Sequence, residues 1–466
     1  MLPVPAMSGP FQPEPHIVNN GPMRAANRYK ALSRRMPRSL LLASIAFSLL
    51  GCRTFSHEPL AETYVHLALA LGERDPDSLD FSAAPTAWSD RAHRDYISYD
   101  AIDQGASAAL TQLAQAKNLN PESATALREQ LASIHARTSM LRGHLLPFDS
   151  EAVALFGVTR QPDTSAEERT AIRREIADQL AQLPEAPRTG KLAQRYDAWN
   201  QRFLIPRNHT IAVLQKALDV CRAATLQHIT LPAGEGITIN PVHDKPWAAF
   251  SQYQGNGRST LSLNMDLALT VDDALELGCH EGYPGHHVFN ILRDRALVQH
   301  EHRTEAEVQL TFSPQGYWSE AAAAAAPRLA MSEDQRIAVE RDELFPAAGL
   351  PSANAAAHVH INNLVRRLDS AQPAIAKAYL DGELEFVRAE DAFADEMLMA
   401  HAEQTLLYLN EYRSYGLAYT QGAHRVEQYL AAPAERSTPV AQQQLDAAWV
   451  RYRALAEQWP GPVGRF

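Results

Sequence analysis

The chain of 466 residues carries 43 lysine and arginine side chains against 54 aspartates and glutamates, for a formal net charge of -11, and is 45% hydrophobic. This is a globular composition, with enough chain for one large domain or two to three smaller ones. The acidic balance argues against a nucleic-acid partner, because phosphate neutralisation needs an excess of basic side chains. Three cysteines cannot form a four-thiolate zinc site, so any metal ion must be held mainly by histidines and carboxylates.

The N-terminal residues have the pattern of an export signal. Six basic side chains and one acidic side chain precede the uncharged segment 40–50, which is too short to span a bilayer. The sequence Leu49-Leu50-Gly51-Cys52 resembles the bacterial lipobox, whose cysteine becomes the lipid-carrying N-terminus. We therefore expect residues 1–51 to be a signal region, with a second start at Met36, and 52–60 to be a tether. Lipid on Cys52 would then hold the protein in a bacterial cell envelope, facing the periplasm.

Apolar residues beyond this region recur mostly at helical spacing, which predicts a mainly α fold. The strongest ranges are 127–145, 172–183, 211–229 and 386–409. Start signals agree at two places, because Ser165 with Glu168 forms a capping-box pattern and Pro121 follows Asn120.

Residues 237–266 break the helical pattern. Segments 237–239 and 259–264 alternate apolar and polar side chains around Gly255-Asn256-Gly257, which is typical of a β-hairpin. We predict a small β-hairpin or sheet at about 236–266, beside a catalytic helix. An N-terminal helical part at 61–230 and a catalytic part at 231–466 would form one continuous architecture.

The segment that carries chemistry follows the predicted hairpin and reads His280-Glu281-Gly282-Tyr283-Pro284-Gly285-His286-His287. Thr270 and Asp273 are placed to begin the helix that leads into it. In HExxH zinc peptidases, two histidines one helical turn apart bind the metal and the glutamate activates water. Here proline occupies the position of the second ligand, and on an unbroken helix neither His286 nor His287 could share a metal with His280. Pro284 and Gly285 are therefore expected to interrupt the helix.

This octapeptide resembles the HExxPGHH signature of a bacterial family of unknown function that is grouped with gluzincin-like zinc metallopeptidases. Segments in the family's order are Trp247 to Phe250, Ser262 to Asn264, Arg341 to Phe345 and Tyr412 to Gly422. The resemblance covers the C-terminal half and implies a large helical metallopeptidase-like domain that binds Zn²⁺ and hydrolyses a peptide or small amide. Two departures are the missing Gly-Trp after Glu320 and Phe289 in place of a glutamine.

The resemblance implies His280, His286 and Glu320 as metal ligands and Glu281 as the general base. Glu320 is also expected because a third ligand should be a carboxylate on a second helix, and it starts the alanine-rich run 321–326. A solvated carboxylate at a helix start is the alternative interpretation of Glu320. Glu305 and Glu307 are alternatives to Glu320 as the carboxylate ligand, and His287 is the alternative to His286.

An oxyanion donor is also required for hydrolysis of a carbonyl. Tyr419 occupies the family's Tyr-before-Gly position, with Tyr415 and Arg413 as alternatives, and each could equally be a packing or surface residue. His358 and His360 lie near a family histidine and are candidates for contacting the ligands.

Two structural expectations complete the site. Ser259–Asn264 is expected either to be an edge strand that pairs with an extended substrate or to close the core. Cys279 is expected to be a small buried hydrophobe, and the sequence leaves open whether it pairs with Cys221.

The sequence thus predicts a lipid-anchored zinc metallopeptidase. A hydrolase of a non-peptide amide or ester and an inactive lipoprotein scaffold are the alternatives, since the motif specifies water activation and not the acyl group.

Overall fold

The computed structural model describes residues 60–116, 119–245, 247–399, 402–431 and 440–458, all of which belong to one compact unit. The predicted signal region 1–51, the tether up to residue 59 and the lipidation site Cys52 lie outside the described residues. Within the described ranges, no helix combines the length and apolarity needed to cross a membrane.

Helices dominate the described chain, as predicted. Eight precede the central β segment: α1 (Leu60–Arg74), α2 (Thr86–Asp95), α3 (Tyr99–Gln115), α4 (Pro121–Leu141), α5 (Phe148–Phe156), α6 (Ala166–Gln182), α7 (Leu192–Asn200) and α8 (Thr210–Thr225). Those that follow it are α9 (Val271–Leu277), α10 (His286–Arg293), α11 (Pro314–Ala330), α12 (Glu333–Val339), α13 (Phe345–Ala348), α14 (Ala355–Arg367), α15 (Gln372–Leu380), α16 (Phe386–Met397), α17 (Ala402–Tyr412), α18 (Gln421–Ala431) and α19 (Val440–Glu457).

The start signals read from the sequence act as N-caps. The Ser165 hydroxyl accepts from the backbone N–H of Glu168 at the start of α6, and the Asn120 side chain accepts from Glu122 at the start of α4. The prediction of one helix over 386–409 is wrong, because α16 ends where Leu398 adopts a left-handed conformation with φ 58°. A helix cannot continue through such a residue, so α17 begins anew.

The β structure consists of two small sheets. Strands β1 (Leu79–Ser82) and β5 (Val308–Leu310) pair antiparallel, while β2 (Gly236–Val242), β3 (Ala249–Tyr253) and β4 (Arg258–Asn264) form a sheet of order β2-β4-β3. The predicted partner of β4 in the hairpin is wrong: β3 forms the hairpin with β4, and β2 pairs with β4 in parallel. The turn immediately follows β3, so the strand next to it in sequence is the one that folds back.

The largest hydrophobic cluster packs the motif against the N-terminal helices. It brings Leu214 and Leu218 of α8 together with Leu275 of α9 and Val288 of α10. The cluster thus includes buried side chains from both predicted parts, 61–230 and 231–466. Helix α8 packs directly against the histidine motif.

Candidate metal centre

The histidine motif begins on a firmly capped helix. The Thr270 hydroxyl accepts from the backbone N–H of Asp273 at 3.2 Å, and the Asp273 carboxylate accepts from the backbone N–H of Thr270 at 2.9 Å. This capping box starts α9 as the sequence predicts. The helix then widens into a π-helical turn over Gly278–Gly282 that carries His280 and Glu281.

The expected interruption follows that turn. The peptide bond between Tyr283 and Pro284 is cis, and the next helix, α10, begins at His286. Gly285 is required at the break, because a Cβ atom there would lie 1.7 Å from the carbonyl oxygen of His280. With the helix interrupted, His280 and His286 lie close together, their ring centroids 4.9 Å apart.

Glu320 lies between these two histidines. Nε2 of His280 is 3.0 Å from Oε1 of Glu320, and Nε2 of His286 is 3.4 Å from Oε2. Ligand atoms of the three residues all lie within 4.8 Å of one another, the one such group of three or more found in the described part of the chain. The structure therefore brings together the three residues expected to bind a metal.

These residues suit a divalent cation. Oε1 of Glu320 is buried and has no hydrogen bond despite its closeness to His280. Ligand bonds of about 2.1 Å in a tetrahedral site place neighbouring donor atoms about 3.4 Å apart, close to the two distances observed. Two imidazoles and one carboxylate form a donor set that zinc accepts.

Charge interactions within the group are strong. Burial tends to raise the pKa of Glu320, but the positive charge of His286 and the close approach of both imidazole rings bring it well below its ordinary value. Burial in turn tends to lower the pKa of His286, yet Glu320, Glu281 and Asp80 raise it to about 9. The site thus favours a positive charge among its carboxylates, as a cation site should.

Glu281 is buried beside the three ligand candidates. Burial raises the pKa of its carboxyl group, while a hydrogen bond from the backbone N–H of Ser251 on β3 acts in the opposite direction. A carboxylate whose pKa is raised toward neutrality can both accept and return a proton.

Both tyrosines suggested by the sequence reach the site. The Tyr415 hydroxyl donates to Oε2 of Glu320 at 3.0 Å. The ring of Tyr419 lies parallel to that of His280, with centroids 6.2 Å apart, and its hydroxyl accepts from Tyr408 at 3.2 Å. Burial, followed by the negative charge of Glu320, raises the pKa of Tyr419 well above its ordinary value, so this hydroxyl keeps its proton.

Three other candidates lie away from the three ligands. His287 is fully buried with both ring nitrogens engaged, Nδ1 at 2.7 Å from Oγ of Ser259 and Nε2 at 3.0 Å from Oε2 of Glu235. His360 is half-buried and contacts Glu333, and Arg413 pairs with Glu151 at 2.6 Å.

The remaining suggested histidine and carboxylates also have other environments. Nδ1 of His358 lies 3.0 Å from Oε2 of Glu340. Glu305 pairs with Arg303, and Glu307 belongs to no metal-binding group among the described residues. The alternative of a solvated Glu320 is wrong, because α11 begins at Pro314 and Glu320 is buried within it.

Two structural expectations need correction. Cys279 is buried but is not merely a small hydrophobe, because it forms a disulfide with Cys221 of α8. Strand β4, which contains Ser259–Asn264, is the central strand of its sheet and not an edge. The edge strand next to Glu281 is β3, whose position in the sheet could not be predicted from the alternation of apolar and polar residues alone.

A cavity of about 1020 Å³ opens beside the centre. His280 and Tyr419 form part of its lining, together with charged residues of α9, α12, α14 and α18. This volume is in the range of pockets that bind small ligands.

Asp80 of β1 is a site residue that sequence reasoning missed. Burial raises its pKa, and it interacts electrostatically with His286 and Glu320, while Gln309 of β5 donates to it at 2.5 Å. A lone aspartate two hundred residues from the motif carries no sequence signal, since only the pairing of β1 with β5 brings it to the site.

Comparisons with known proteins assign no family. No protein-family model and no curated protein matches the chain. A putative lipoprotein from Colwellia psychrerythraea is 11% identical with a TM-score of 0.45, over 76% of this chain and 66% of its own. A putative lipoprotein of unknown function from Shewanella oneidensis is 14% identical with a TM-score of 0.41, over 77% of this chain and 73% of its own.

The chain thus spans slightly less than two thirds of the first of these proteins. At such identities and TM-scores neither likeness establishes a shared function, and the relation to the HExxPGHH family stays a prediction from the motif.

Proposed function

We propose that this protein is a zinc-dependent hydrolase, and specifically a metallopeptidase. The observation that carries the proposal is the group of buried His280, half-buried His286 and buried Glu320, with the carboxylate of Glu281 beside it. This is the donor set of two histidines and one glutamate used by catalytic zinc sites that keep one position open.

A bound Zn²⁺ ion would supply a Lewis acid for the scissile carbonyl and a water of lowered pKa. Glu281 accepts the proton of the attacking water and delivers it to the leaving amine, a task suited to its raised pKa. Tyr419 keeps its proton and donates a hydrogen bond to the oxyanion as the carbonyl becomes tetrahedral. Tyr415 holds Glu320 in place through the hydrogen bond to Oε2.

A peptide is the substrate class that the surroundings favour. The terminal strand β3 donates its Ser251 N–H to Glu281, so its outer edge faces the catalytic carboxylate. An extended peptide can add to such an edge through main-chain hydrogen bonds. A cavity of about 1020 Å³ that His280 and Tyr419 help to line offers further space at the centre.

Metal content tests the first half of the proposal. Elemental analysis of the exported chain, prepared with zinc present, should find one zinc per chain. His286→Ala and Glu320→Ala should lose it, whereas Glu305→Ala, the same change at a buried glutamate outside the group, should retain it. A wild-type protein without stoichiometric metal would favour the scaffold alternative and overturn the proposal.

Catalysis is tested with Glu281→Gln. We expect this variant to bind zinc normally and to lose at least about 10²-fold in peptide hydrolysis, because the proton acceptor is gone. A peptide library supplies the substrates, with ester and non-peptide amide panels in parallel. Full turnover by Glu281→Gln contradicts its role as base, and cleavage confined to esters or non-peptide amides contradicts the peptidase assignment.

We also propose that Cys52 carries a lipid that tethers the enzyme to the bacterial envelope, on the basis of the Leu49 to Cys52 sequence. The full-length protein should incorporate a labelled fatty acid and fractionate with membranes, and Cys52→Ala should do neither. Equal labelling of both proteins would refute the anchor.

A further inference from the structure

The two histidine ligand candidates stand on separate short helical segments. His280 lies in the π-helical turn Gly278–Gly282, and His286 begins α10 after the break at Gly285. Across the break, the Gly285 N–H donates to the Cys279 carbonyl at 2.9 Å, so the backbone links the two segments at this point. Side chains outside the motif add further links that set the separation of the two rings.

The first segment is tied to α8 by a covalent bond. Cys279, which immediately precedes His280, forms a disulfide with Cys221, with Cα atoms 5.3 Å apart. Packing is close along the same helix, since a Cβ atom on Gly278 would lie 2.9 Å from the backbone carbon of Ala217. The His280 side of the motif therefore rests directly on α8.

The start of α10 is linked, through Glu235, to Arg222 of α8, the residue that follows Cys221. Arg222 contacts Oε1 of Glu235 at 2.7 Å, and Oε2 of Glu235 contacts Nε2 of His287 at 3.0 Å. The hydroxyl of Tyr283, inside the break, also donates to Glu235 at 2.7 Å. The His287 and Glu235 side chains are only 0% and 1% exposed, so water competes little for the bond between them.

Both ring nitrogens of His287 have a partner, which determines its orientation. The Glu235 carboxylate can only accept, so Nε2 of neutral His287 carries the proton and Nδ1 accepts from the Ser259 hydroxyl at 2.7 Å. Ser259 lies on the central strand β4. The ring thus ties the first turn of α10 to the sheet as well as to α8.

We infer that Cys221 and Arg222 make α8 a clamp that holds the two histidine ligands at metal-binding distance. His287 and Glu235 are positioning residues within this clamp, and His287 binds no metal itself. The inference rests on the proposed metal site and adds to it the residues that preorganise it. Loss of either tie should weaken metal affinity about 10- to 100-fold, the usual effect of removing groups that orient ligands.

Zinc dissociation constants, measured by competition with a chromophoric chelator, test the clamp. The variants are Glu235→Gln, His287→Gln and the double change Cys221→Ala with Cys279→Ala, each compared with wild type for unfolding free energy. The matched control is Glu305→Gln, which disrupts another buried glutamate pair, with Arg303, away from the ligand segments. We expect the control to lose stability and to keep its zinc affinity.

Ser259→Ala provides a milder test should the larger changes prevent folding. It removes one hydrogen bond to His287, and with Co²⁺ in place of zinc it should shift the visible absorption bands of the metal. Folded clamp variants that bind zinc as tightly as wild type would overturn the inference, as would an equal loss of affinity in Glu305→Gln. Failure of wild type to bind zinc contradicts the proposed function instead, so the two outcomes are distinguishable.

Discussion

Tyr415 and Tyr419 lie four residues apart but contact different groups. Tyr415 donates to Glu320, whereas Tyr419 lies along the face of His280 and lines the cavity. We expect Tyr415→Phe to weaken zinc affinity by about 10-fold, because it frees a ligand carboxylate to reorient. Tyr419→Phe should leave zinc affinity unchanged and lower kcat by about 10²-fold, as loss of an oxyanion donor does.

Chelator competition and steady-state kinetics on the same preparations separate these effects. Tyr379→Phe, which removes an exposed hydroxyl bonded to Asn410, serves as the control and should change neither quantity. If Tyr419→Phe raised KM without lowering kcat, Tyr419 would be a substrate-binding residue and not an oxyanion donor.

At the residue scale, the sequence motif predicts the metal-ligand candidates, but it does not predict the residues that surround them. The sequence left open whether His286 or His287 is the second ligand, because spacing shows only that both follow the break. The structure distinguishes the two, since the ring of His287 is bonded to Glu235 and Ser259, which are far apart in sequence. Asp80 and Ser251 approach the site only through strand pairing, which no local pattern specifies.

At the scale of elements, the break between the π-helical turn and α10 determines the site. Gly285→Ala places a Cβ atom against the carbonyl of His280, so one of the two segments must move. We expect a loss of stability of about 1–3 kcal/mol from this overpacking, and a loss of zinc affinity exceeding 10-fold. Urea unfolding of the metal-free proteins and chelator competition measure the two effects.

A suitable control has a comparable cost in stability but lies elsewhere. Gly143 follows α4 at a φ of 93° with open space around it, so Gly143→Ala should be destabilised by about 1–2 kcal/mol through backbone strain alone. Its zinc affinity should equal that of wild type. A parallel loss of affinity in both variants would mean that general destabilisation, and not the geometry of the break, governs metal binding.

The elements themselves were predictable where the signal is local. Caps at Asn120, Ser165 and Thr270 place three helix starts correctly, because each depends on neighbouring residues. The order of the sheet was not predictable, since the parallel pairing of β2 with β4 depends on a crossover. The left-handed Leu398 was equally invisible, because leucine has no preference for that conformation.

At the scale of the whole molecule, a buried ionic network joins three helices beside the site, and its residues form part of the cavity lining. Arg336 of α12 contacts Asp272 at 2.7 Å and also pairs with Glu276, both on α9, while Arg366 of α14 contacts Asp272 at 2.7 Å. No sequence pattern groups these charges, which come from separate helices. These ion pairs hold α9, and therefore His280, in place.

The network makes stability depend on pH. Burial tends to raise the pKa of Glu276, but Arg336 and Arg366 bring it to about 2, and the pKa of Asp272 is likewise lowered. For carboxyls with depressed pKa values in the folded state, the stabilisation is complete above their unfolded pKa of about 4.5. It is lost as the pH falls from there toward 2, so the free energy of unfolding should decrease across this range.

Arg336→Met tests this dependence. At pH 7 it leaves two buried carboxylates without their main partner and should cost about 3–5 kcal/mol. On acidification those carboxyls protonate more readily in the folded variant than in wild type, so the difference between the two proteins should narrow toward pH 3.5. Urea unfolding with a chelator present measures this difference without a contribution from metal.

The control is Arg341→Met, at an exposed pair with Asp342, which should stay within about 0.5 kcal/mol of wild type at both pH values. A constant difference for Arg336→Met between pH 7 and 3.5 would show that the network acts through packing and not through charge.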